Sequence, residues 1–345
     1  MLSPVDRLSY IARQGARVAW YMGHYFASQR MRPPRRHGEG TSASRRGPAR
    51  EDILGALGQL FARDLANVER GYYPLPRDHD GGFGETIATS RLYFEDLPRV
   101  FERQQSEHAS DIPETPSGEG APPPYFLQNF HFQTGGYLTD ESAKLYDMQV
   151  EVLFSGSANA MRRQCLVPIA EFLRGRDQRK LELLDVACGT GRFLRAVKEA
   201  FPKLNVTGCD LSASYLEEAR HHLEPYRMKS DVAAAESLPY ASSSFDIVTS
   251  IYLFHELPHD VRRAAAAEFA RVLKPGGLLV FMDSLQLGDV PRYDPLLEAF
   301  PRNFHEPYYA DYIADDLRDL FAAAGFKVVT VEPVFLSKLV ACRKI

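Results

Sequence analysis

From residue 180 onward, short apolar runs alternate with stretches of helical character, and this alternation limits the fold more than any other feature of the chain. The runs lie at 181–188, 205–210, 227–232, 245–254, 277–284, 326–333 and 335–343. Such alternation is typical of a parallel sheet with helices on both faces. The last two runs are too close for a crossover helix, so they should pair as antiparallel strands. The predicted class is α/β: a doubly wound, mostly parallel seven-stranded sheet with an antiparallel C-terminal hairpin and a helical N-terminal extension.

A glycine-rich turn follows the first predicted strand. Gly189 and Gly191 stand between that strand and a helix, where glycines permit a tight turn and the helix N-terminus offers free N–H groups to a ligand. Asp210 ends the second predicted strand 19 residues after Gly191, where a carboxylate can accept both hydroxyls of a ribose. Leu194 occupies the third glycine position of the dinucleotide fingerprint, which disfavours a nicotinamide enzyme.

Four motifs extend this signal across the C-terminal half. They are DVACGTG at 185–191, CDLS at 209–212, ESLPYASSSFDIV at 236–248 and RVLKPGG at 271–277. In this order and spacing the chain resembles the class I S-adenosylmethionine-dependent methyltransferases, particularly the small-molecule type 11 group that includes the ubiquinone and menaquinone biosynthesis enzymes. The resemblance covers roughly residues 180–345. It implies S-adenosylmethionine as cofactor and methyl transfer to a small, largely apolar or aromatic metabolite.

The resemblance also implies a set of cofactor-binding residues. Asp185 and the glycine turn would hold the methionine end of the cofactor, and Asp210 would bind the ribose. The implied contacts in these motifs or directly next to them are Asp185, Ala187, Gly189, Gly191, Asp210, Leu211, Ala235 and Glu236. An aspartate of the family that binds adenine is replaced here by Ala234, so that contact would pass to Asp231, backbone groups or water. The structural alternative is that Asp185 satisfies backbone donors at a strand end and Asp210 caps the following helix.

The acceptor should lie at the loops that leave the fourth and fifth strands, because ligands of parallel sheets bind at the carboxyl ends of the strands. His255 and Glu256 follow the fourth strand, and His305 lies in a long insertion, 285–312, after the fifth. A histidine with a near-neutral pKa suits removal of an acceptor proton. His255 or His305 is therefore the predicted general base, and Glu256 would orient a histidine or fix the acceptor. Packing against backbone is the structural alternative for either histidine.

An aromatic segment with paired glycines, YFLQNFHFQTGGYL, occupies residues 125–138. We expect it to form an apolar lid together with the insertion 285–312, the two covering the cofactor's methyl from opposite sides. Tyr137, beside the flexible Gly135–Gly136 pair, is the predicted ligand contact. The four cysteines show no CxxC pair and no histidine at ligand spacing, so neither a metal site nor a disulfide framework is predicted.

The N-terminal fifty residues are strongly basic. Ten arginines against two acidic residues give 1–50 a net charge of +8 within a chain whose net charge is −4. Apolar positions such as Leu8 and Ile11 predict a basic amphipathic helix over 1–29, followed by a basic flexible tether over 30–50. This arm is expected to be dispensable for folding. Three interpretations of the helix remain open. It packs on the body or on a second copy, it contacts an anionic membrane surface, or it is a cleaved targeting segment.

Composition, together with the resemblance for the last part, divides the remaining chain into four parts. They are a helical region at 51–104, a proline-rich linker at 105–124, the aromatic lid segment with two helices at 125–179, and a methyltransferase domain at 180–345. The two helices are predicted at about 140–154 and 158–174, and a further helix is predicted at about 311–324, after the insertion. No apolar run reaches the ~18 residues of a membrane span, so a cytoplasmic protein is predicted, peripheral to a membrane only through the basic arm.

Three functions remain open on the sequence alone. The first is methyl transfer to a small-molecule acceptor, by a monomer or a homo-oligomer. The second keeps the cofactor pocket but makes the chain an assembly subunit of a biosynthetic complex without turnover, for which Ala234 is the hint. The third, nucleic-acid methylation, draws on the basic arm. Because the body is acidic and no Asn-Pro-Pro-Tyr motif follows the fourth strand, no nucleic-acid partner is expected.

Overall fold

The computed structural model describes residues 2–33, 47–106, 110–115 and 121–345. Most of the predicted tether and parts of the predicted linker therefore lie outside the described residues. The helices are α1 (Pro4–Met31), α2 (Arg50–Glu69), α3 (Phe83–Gln105), α4 (Asp140–Leu153), α5 (Ala158–Gln164), α6 (Leu166–Leu173), α7 (Arg192–Ala200), α8 (Ala213–His222), α9 (His259–Val272), α10 (Asp294–Asn303), α11 (Tyr309–Ala314) and α12 (Leu317–Ala323). The strands are β1 (Glu182–Val186), β2 (Asn205–Asp210), β3 (Lys229–Val232), β4 (Phe245–Ile251), β5 (Leu273–Ser284), β6 (Phe326–Val334) and β7 (Ser337–Lys344).

The seven strands form one sheet in the order β3-β2-β1-β4-β5-β7-β6. The first five strands run parallel, whereas β7 is antiparallel to both β5 and β6. This confirms the predicted α/β class and the antiparallel C-terminal pair. The strand order reverses between β1 and β4, and the crevice at such a reversal is where open α/β sheets bind ligands.

Helices cover both faces of the sheet, and neighbouring residues of a strand point to opposite faces. Leu184 and Phe281 are buried on the face covered by α9 and α12. Leu183 and Val280 are buried on the other face, against α5, α6 and α7. Burying each such side chain stabilises the fold by about 1.5–3 kcal/mol. The strands are therefore rigid supports for the loops at their carboxyl ends.

Two predicted helices are each divided in the structure. The helix expected over 158–174 ends at Gln164 and restarts at Leu166. Pro168 has no N–H group to donate to the carbonyl of Gln164, which weakens a continuous helix at this point. The helix expected at about 311–324 is likewise two helices, because the side chain of Asp316 accepts N–H groups of the next turn and caps a new helix, α12.

Helix α1 packs on the body, but not through the apolar positions that the sequence suggests as its contact face. Leu8 is 67% exposed and Ile11 is 59% exposed. The buried side is polar: the Tyr10 hydroxyl donates to the Asp64 carboxylate over 2.6 Å, and Arg17 is 8% exposed. Among the described helices, none is both long and apolar enough to cross a membrane.

Buried charges connect α1 to α2, α4 and α5. Arg163 contacts Asp64 over 2.7 Å and Asp78 over 2.5 Å, while Arg17 lies 3.1 Å from Glu151 and 3.7 Å from Asp78. Burial alone would raise the pKa of Asp78, but the two arginines outweigh it and lower that pKa below its usual range. Removing one partner from such a network typically costs about 3–5 kcal/mol. These contacts argue against the expectation that the arm is dispensable for folding.

Candidate active site

A cleft opens at the carboxyl ends of β1, β2 and β4, where the strand order reverses. Its empty space, counted together with the solvent-filled mouth, is about 710 Å³. Ala187, Gly189 and Leu211 line it. Gly189 has a φ of +54° and open space where a Cβ would stand, so the backbone itself faces the cleft. Gly191, with a φ of +76°, is required for packing, because a Cβ there would lie 2.9 Å from that of Ala219 on α8.

Asp210 lies at the end of β2 and lines the same cleft. Its carboxylate accepts the backbone N–H of Gly189 and the backbone N–H of Ser212, each over 2.9 Å. Burial raises the pKa of Asp210, although these backbone donors oppose the rise. Two fixed hydrogen bonds orient the carboxylate and leave further lone pairs for a ligand. The cap of α8 is Ser212, whose hydroxyl accepts the backbone N–H of Tyr215 over 3.2 Å, so the structure does not support the helix-capping alternative for Asp210.

Two carboxylates of the predicted cofactor set have partners in the protein. Asp185 is 2% exposed, is not among the described residues that line the cleft, and accepts the Thr249 hydroxyl over 2.6 Å. Burial raises the pKa of Asp185 to about 7. Ala235 lines the cleft, whereas Glu236 accepts the hydroxyl of Tyr125 over 2.7 Å. Glu236 therefore fixes the aromatic segment through a hydrogen bond and does not face a ligand.

Asp231, the alternative adenine contact, is engaged elsewhere. Its carboxylate accepts the Tyr240 hydroxyl over 3.0 Å, and it is not among the described residues that line the cleft. Ala233, Ala235 and Leu211 form the apolar wall at this end. This geometry does not support the prediction that Asp231 makes the adenine contact that Ala234 cannot make.

The aromatic segment 125–138 closes one side of the cleft with Tyr125, Phe126, Phe130 and Tyr137. The Tyr137 ring stacks on Phe130 at 5.7 Å between centroids, and its hydroxyl donates to Glu256 over 2.6 Å. Burial raises the pKa of Tyr137 well above its ordinary value, so the hydroxyl remains a donor. The segment therefore forms a water-excluding wall that is hydrogen-bonded to the loop after β4.

The insertion 285–312 lies behind this wall, not across the cleft from it as predicted. Among the described residues, the insertion contributes none of the cleft lining. It packs on the aromatic segment instead: the His131 N–H donates to the His305 carbonyl over 3.4 Å, and the His131 ring meets Phe304 edge-on at 5.6 Å. The aromatic side chains of the two segments pair with each other, which places them in successive layers on one side of the site.

Four side chains converge where the cleft meets the insertion, and we call them the His-Glu cluster: His131, His255, Glu256 and Glu306. One ligand atom from each lies within 4.8 Å of the others. His255 and Glu256 belong to the predicted site, but His305 does not join them. Its Nε2 lies 2.9 Å from the amide oxygen of Gln128 instead.

Asp283, the penultimate residue of β5, holds His255 in place. Its carboxylate lies 2.6 Å from His255 Nδ1 and accepts the backbone N–H groups of Phe254 and Ser284, both over 2.7 Å. Burial would lower the pKa of His255, but Asp283 and neighbouring carboxylates outweigh it and raise that pKa to about 10. Burial also raises the pKa of Glu256 to about 7. In the protein alone, His255 is thus the positive partner of buried carboxylates.

No role for His131, Asp283 or Glu306 is predicted from the sequence. His131 and Glu306 are 175 residues apart in the chain, so no short spacing marks them as a pair. Asp283 had a usable signal, because an acidic residue at the carboxyl end of a strand lies beside the loop of the neighbouring parallel strand.

A second cavity, of about 950 Å³ including open solvent, lies on the other side of the His-Glu cluster. It is lined mainly by aromatic and aliphatic residues of α1, α3 and α4, among them Tyr25, Leu97 and Phe101. His131 forms part of its wall, and Tyr146 lines both cavities. The cluster therefore borders the cleft through Glu256 and the second cavity through His131.

Comparison with known proteins places this geometry in a class. Residues 183–277 match the family described as a methyltransferase domain. A ubiquinone/menaquinone biosynthesis C-methyltransferase of Desulfotalea psychrophila is 32% identical over 145 residues, covering 42% of this chain and 56% of the relative. An O-methyltransferase of Penicillium expansum is 34% identical over 158 residues, covering 44% of this chain and 54% of the relative. The chain thus spans little more than half the length of these curated relatives.

The sheet order, the glycine turn and the family match together define a class I S-adenosylmethionine-dependent methyltransferase domain. S-adenosylmethionine is the cofactor of that class. Within it, the chain is similar to the ubiquinone and menaquinone methyltransferases, including a demethylmenaquinone methyltransferase of Thermotoga maritima that is 32% identical over 148 residues, 43% of this chain and 60% of the relative.

Proposed function

We propose that this chain transfers the methyl group of S-adenosylmethionine to a small, largely apolar or aromatic acceptor. The observation that carries the proposal is the Asp210 carboxylate, fixed by two backbone N–H groups at the wall of an otherwise apolar cleft. A carboxylate so held can accept both hydroxyls of a ribose through charge-assisted hydrogen bonds. Leu211 and Ala235 supply apolar surface for the adenine.

The opposite end of the cleft suits the reacting sulfonium. The aromatic wall around Tyr137 and Tyr146 excludes water and presents ring faces that attract a cation. Methyl transfer is an in-line displacement, for which alignment and exclusion of water are the main requirements. Glu256 lines the cleft at this end, so the acceptor should approach past it.

The second cavity is the proposed acceptor site. Its lining is mainly aromatic and aliphatic, and it meets the cofactor cleft at Tyr146 and the His-Glu cluster. The relatives' names, a C-methyltransferase of quinone biosynthesis and an O-methyltransferase, support a small-molecule acceptor. We propose that His255 and Glu256 act on the acceptor. His305 is a weaker candidate for this role because its ring faces Gln128.

Isothermal titration calorimetry with S-adenosylmethionine and S-adenosylhomocysteine tests the proposal. The wild-type chain should bind both, and Asp210→Ala should weaken binding by about 1–3 kcal/mol through loss of the charge-assisted bonds. Asp260→Ala, which removes an exposed carboxylate at the start of α9, is the matched control and should bind like wild type. Equal binding by the Asp210 variant would refute the assigned site.

A further inference from the structure

The His-Glu cluster has the dimensions of a metal-binding site. His131 Nε2 lies 3.1 Å from Glu306 Oε1, and His255 Nε2 lies 3.7 Å from Glu256 Oε1. The four ligand atoms lie within 4.8 Å of one another. Ligands placed about 2.1 Å from a common ion are roughly 3.0–4.2 Å apart. Movements of a few tenths of an ångström would therefore bring all four atoms into one coordination sphere.

Within the described part of the chain, the Glu306 carboxyl group has no hydrogen-bond partner. The residue is 3% exposed, and neither carboxylate oxygen accepts a hydrogen bond from any described residue. Buried polar groups almost always have such partners, because desolvating a carboxylate without one is costly. The ring nitrogen Nε2 of His131 lies 3.1 Å from Oε1 of Glu306. An imidazole and a buried carboxyl group are therefore directed at the same space.

His255 is oriented in the way that metal-ligating histidines are. Asp283 is satisfied by the backbone N–H groups of Phe254 and Ser284 and accepts from His255 Nδ1 over 2.6 Å. That hydrogen bond leaves Nε2 directed toward Glu256, and a carboxylate behind an imidazole is the usual support of a metal-bound histidine. Because its acceptor positions are occupied, Asp283 is a positioning residue and not a ligand.

We propose that His131, His255, Glu256 and Glu306 bind one divalent first-row transition-metal ion, of the Mn²⁺, Fe²⁺ or Zn²⁺ type. Two imidazole nitrogens and two carboxylates form the mixed nitrogen and oxygen set that these ions prefer. The two positive charges of the ion balance the two carboxylates of the set. The sequence predicts no metal site, because the four ligands come from three distant segments and show none of the short spacings by which such sites are recognised.

The position of the ion suggests its use. It would lie between the cofactor cleft, bordered by Glu256, and the second cavity, bordered by His131. An acceptor in that cavity could place an oxygen on the ion, so the preferred acceptors would carry a hydroxyl or another metal-binding oxygen. This consequence rests on the proposed function, whereas binding of the ion does not.

Metal titration of the full chain without cofactor tests the site. After dialysis against a chelator, Mn²⁺, Zn²⁺ and, under anaerobic conditions, Fe²⁺ are added separately, and bound metal is counted by mass spectrometry. At least one ion should bind at one per chain. Glu306→Gln and His131→Asn should each lose it, and Asp283→Asn should weaken it by about 10- to 100-fold. Glu298→Gln and His259→Asn, exposed positions outside the cluster, are the matched controls and should bind like wild type.

Failure of the wild-type chain to bind any of the three ions would overturn the proposal. Equal binding by the cluster variants and the controls would do the same. Thermal melting of each variant separates loss of metal from loss of folding. If Glu306→Gln does not fold, His131→Asn, in a different segment, decides. A Co²⁺-loaded wild-type chain adds a direct check, since its visible absorption reports the ligand set. Binding of metal without S-adenosylmethionine binding would defeat the proposed function alone, and the reverse result would defeat the metal site alone.

Discussion

Tyr137 donates its hydroxyl hydrogen to Oε1 of Glu256 over 2.6 Å, although 119 residues separate them in the chain. This bond joins the aromatic segment 125–138 to the loop that leaves β4. On the far side of the segment, Arg103 of α3 donates to the Phe132 carbonyl over 2.9 Å. Hydrogen bonds therefore fix the aromatic segment on both of its sides. The folded chain itself keeps this wall of the cleft closed.

The ring and the hydroxyl of Tyr137 should have separable effects. Tyr137→Phe keeps the ring but removes the bond to Glu256, so it should lower the free energy of unfolding by about 1–2 kcal/mol and leave cofactor affinity nearly unchanged. Tyr137→Ala also removes part of the cleft wall and should weaken cofactor binding about tenfold or more, roughly 1.4 kcal/mol. Isothermal titration calorimetry measures the cofactor affinity of both variants, and scanning calorimetry measures their stability. Wild-type affinity in the alanine variant would mean that the segment does not contact the cofactor.

Arg17 should be essential for stability despite its place in the basic arm. Arg17→Ala leaves Asp80 and Glu151 without their buried partner, which should cost about 3–5 kcal/mol in urea unfolding. Arg30→Ala, on the exposed side of the same helix, is the control and should change stability by less than about 0.5 kcal/mol. Equal stability of the two variants would show that α1 does not depend on the charge network.

Asp185 should make stability depend on pH. Its pKa is about 7 in the folded chain, raised by burial, against about 3.9 when unfolded. A group with a raised folded pKa contributes fully below its unfolded pKa and loses that contribution as pH rises toward the folded value. Asp185→Asn cannot ionise, so its stability advantage over wild type should grow between about pH 4 and pH 7, by up to about 1.4 kcal/mol per pH unit, and then level off.

Denaturant unfolding at several pH values measures this difference. Asp260→Asn, at an exposed position, controls for the general effect of removing a carboxylate and should track wild type. A constant offset between Asp185→Asn and wild type across the range would show that Asp185 is ionised in the folded chain.

The sheet and the glycine turn could be predicted because their signals are local. Each strand is a short apolar run, and Gly189, Gly191 and Asp210 adjoin strand ends in the sequence itself. Once strands are placed in a doubly wound order, topology alone brings those ends to one edge of the sheet. The cofactor end of the site therefore follows from sequence and fold class.

The acceptor end could not be predicted in the same way. His131 and Glu306 meet because the insertion 285–312 packs behind the aromatic segment, a contact between two loops that no periodicity encodes. The predicted orientation of α1 is wrong for a related reason. Leu8 and Ile11 indicate an inward apolar face. Instead, Arg17 and Tyr10 bind carboxylates that lie more than fifty residues away in the sequence, and these contacts place the opposite side of the helix against the body. Long-range charge pairing outweighed the local hydrophobic pattern.

The most direct test of the central claim is a crystal structure of the chain with S-adenosylhomocysteine. We expect the ribose hydroxyls within hydrogen-bonding distance of Asp210, about 2.5–3.2 Å, with adenine against Leu211 and the sulfur at the end of the cleft near Glu256. Ligand density outside this cleft, or a bound ligand whose sulfur points away from Glu256, would contradict it.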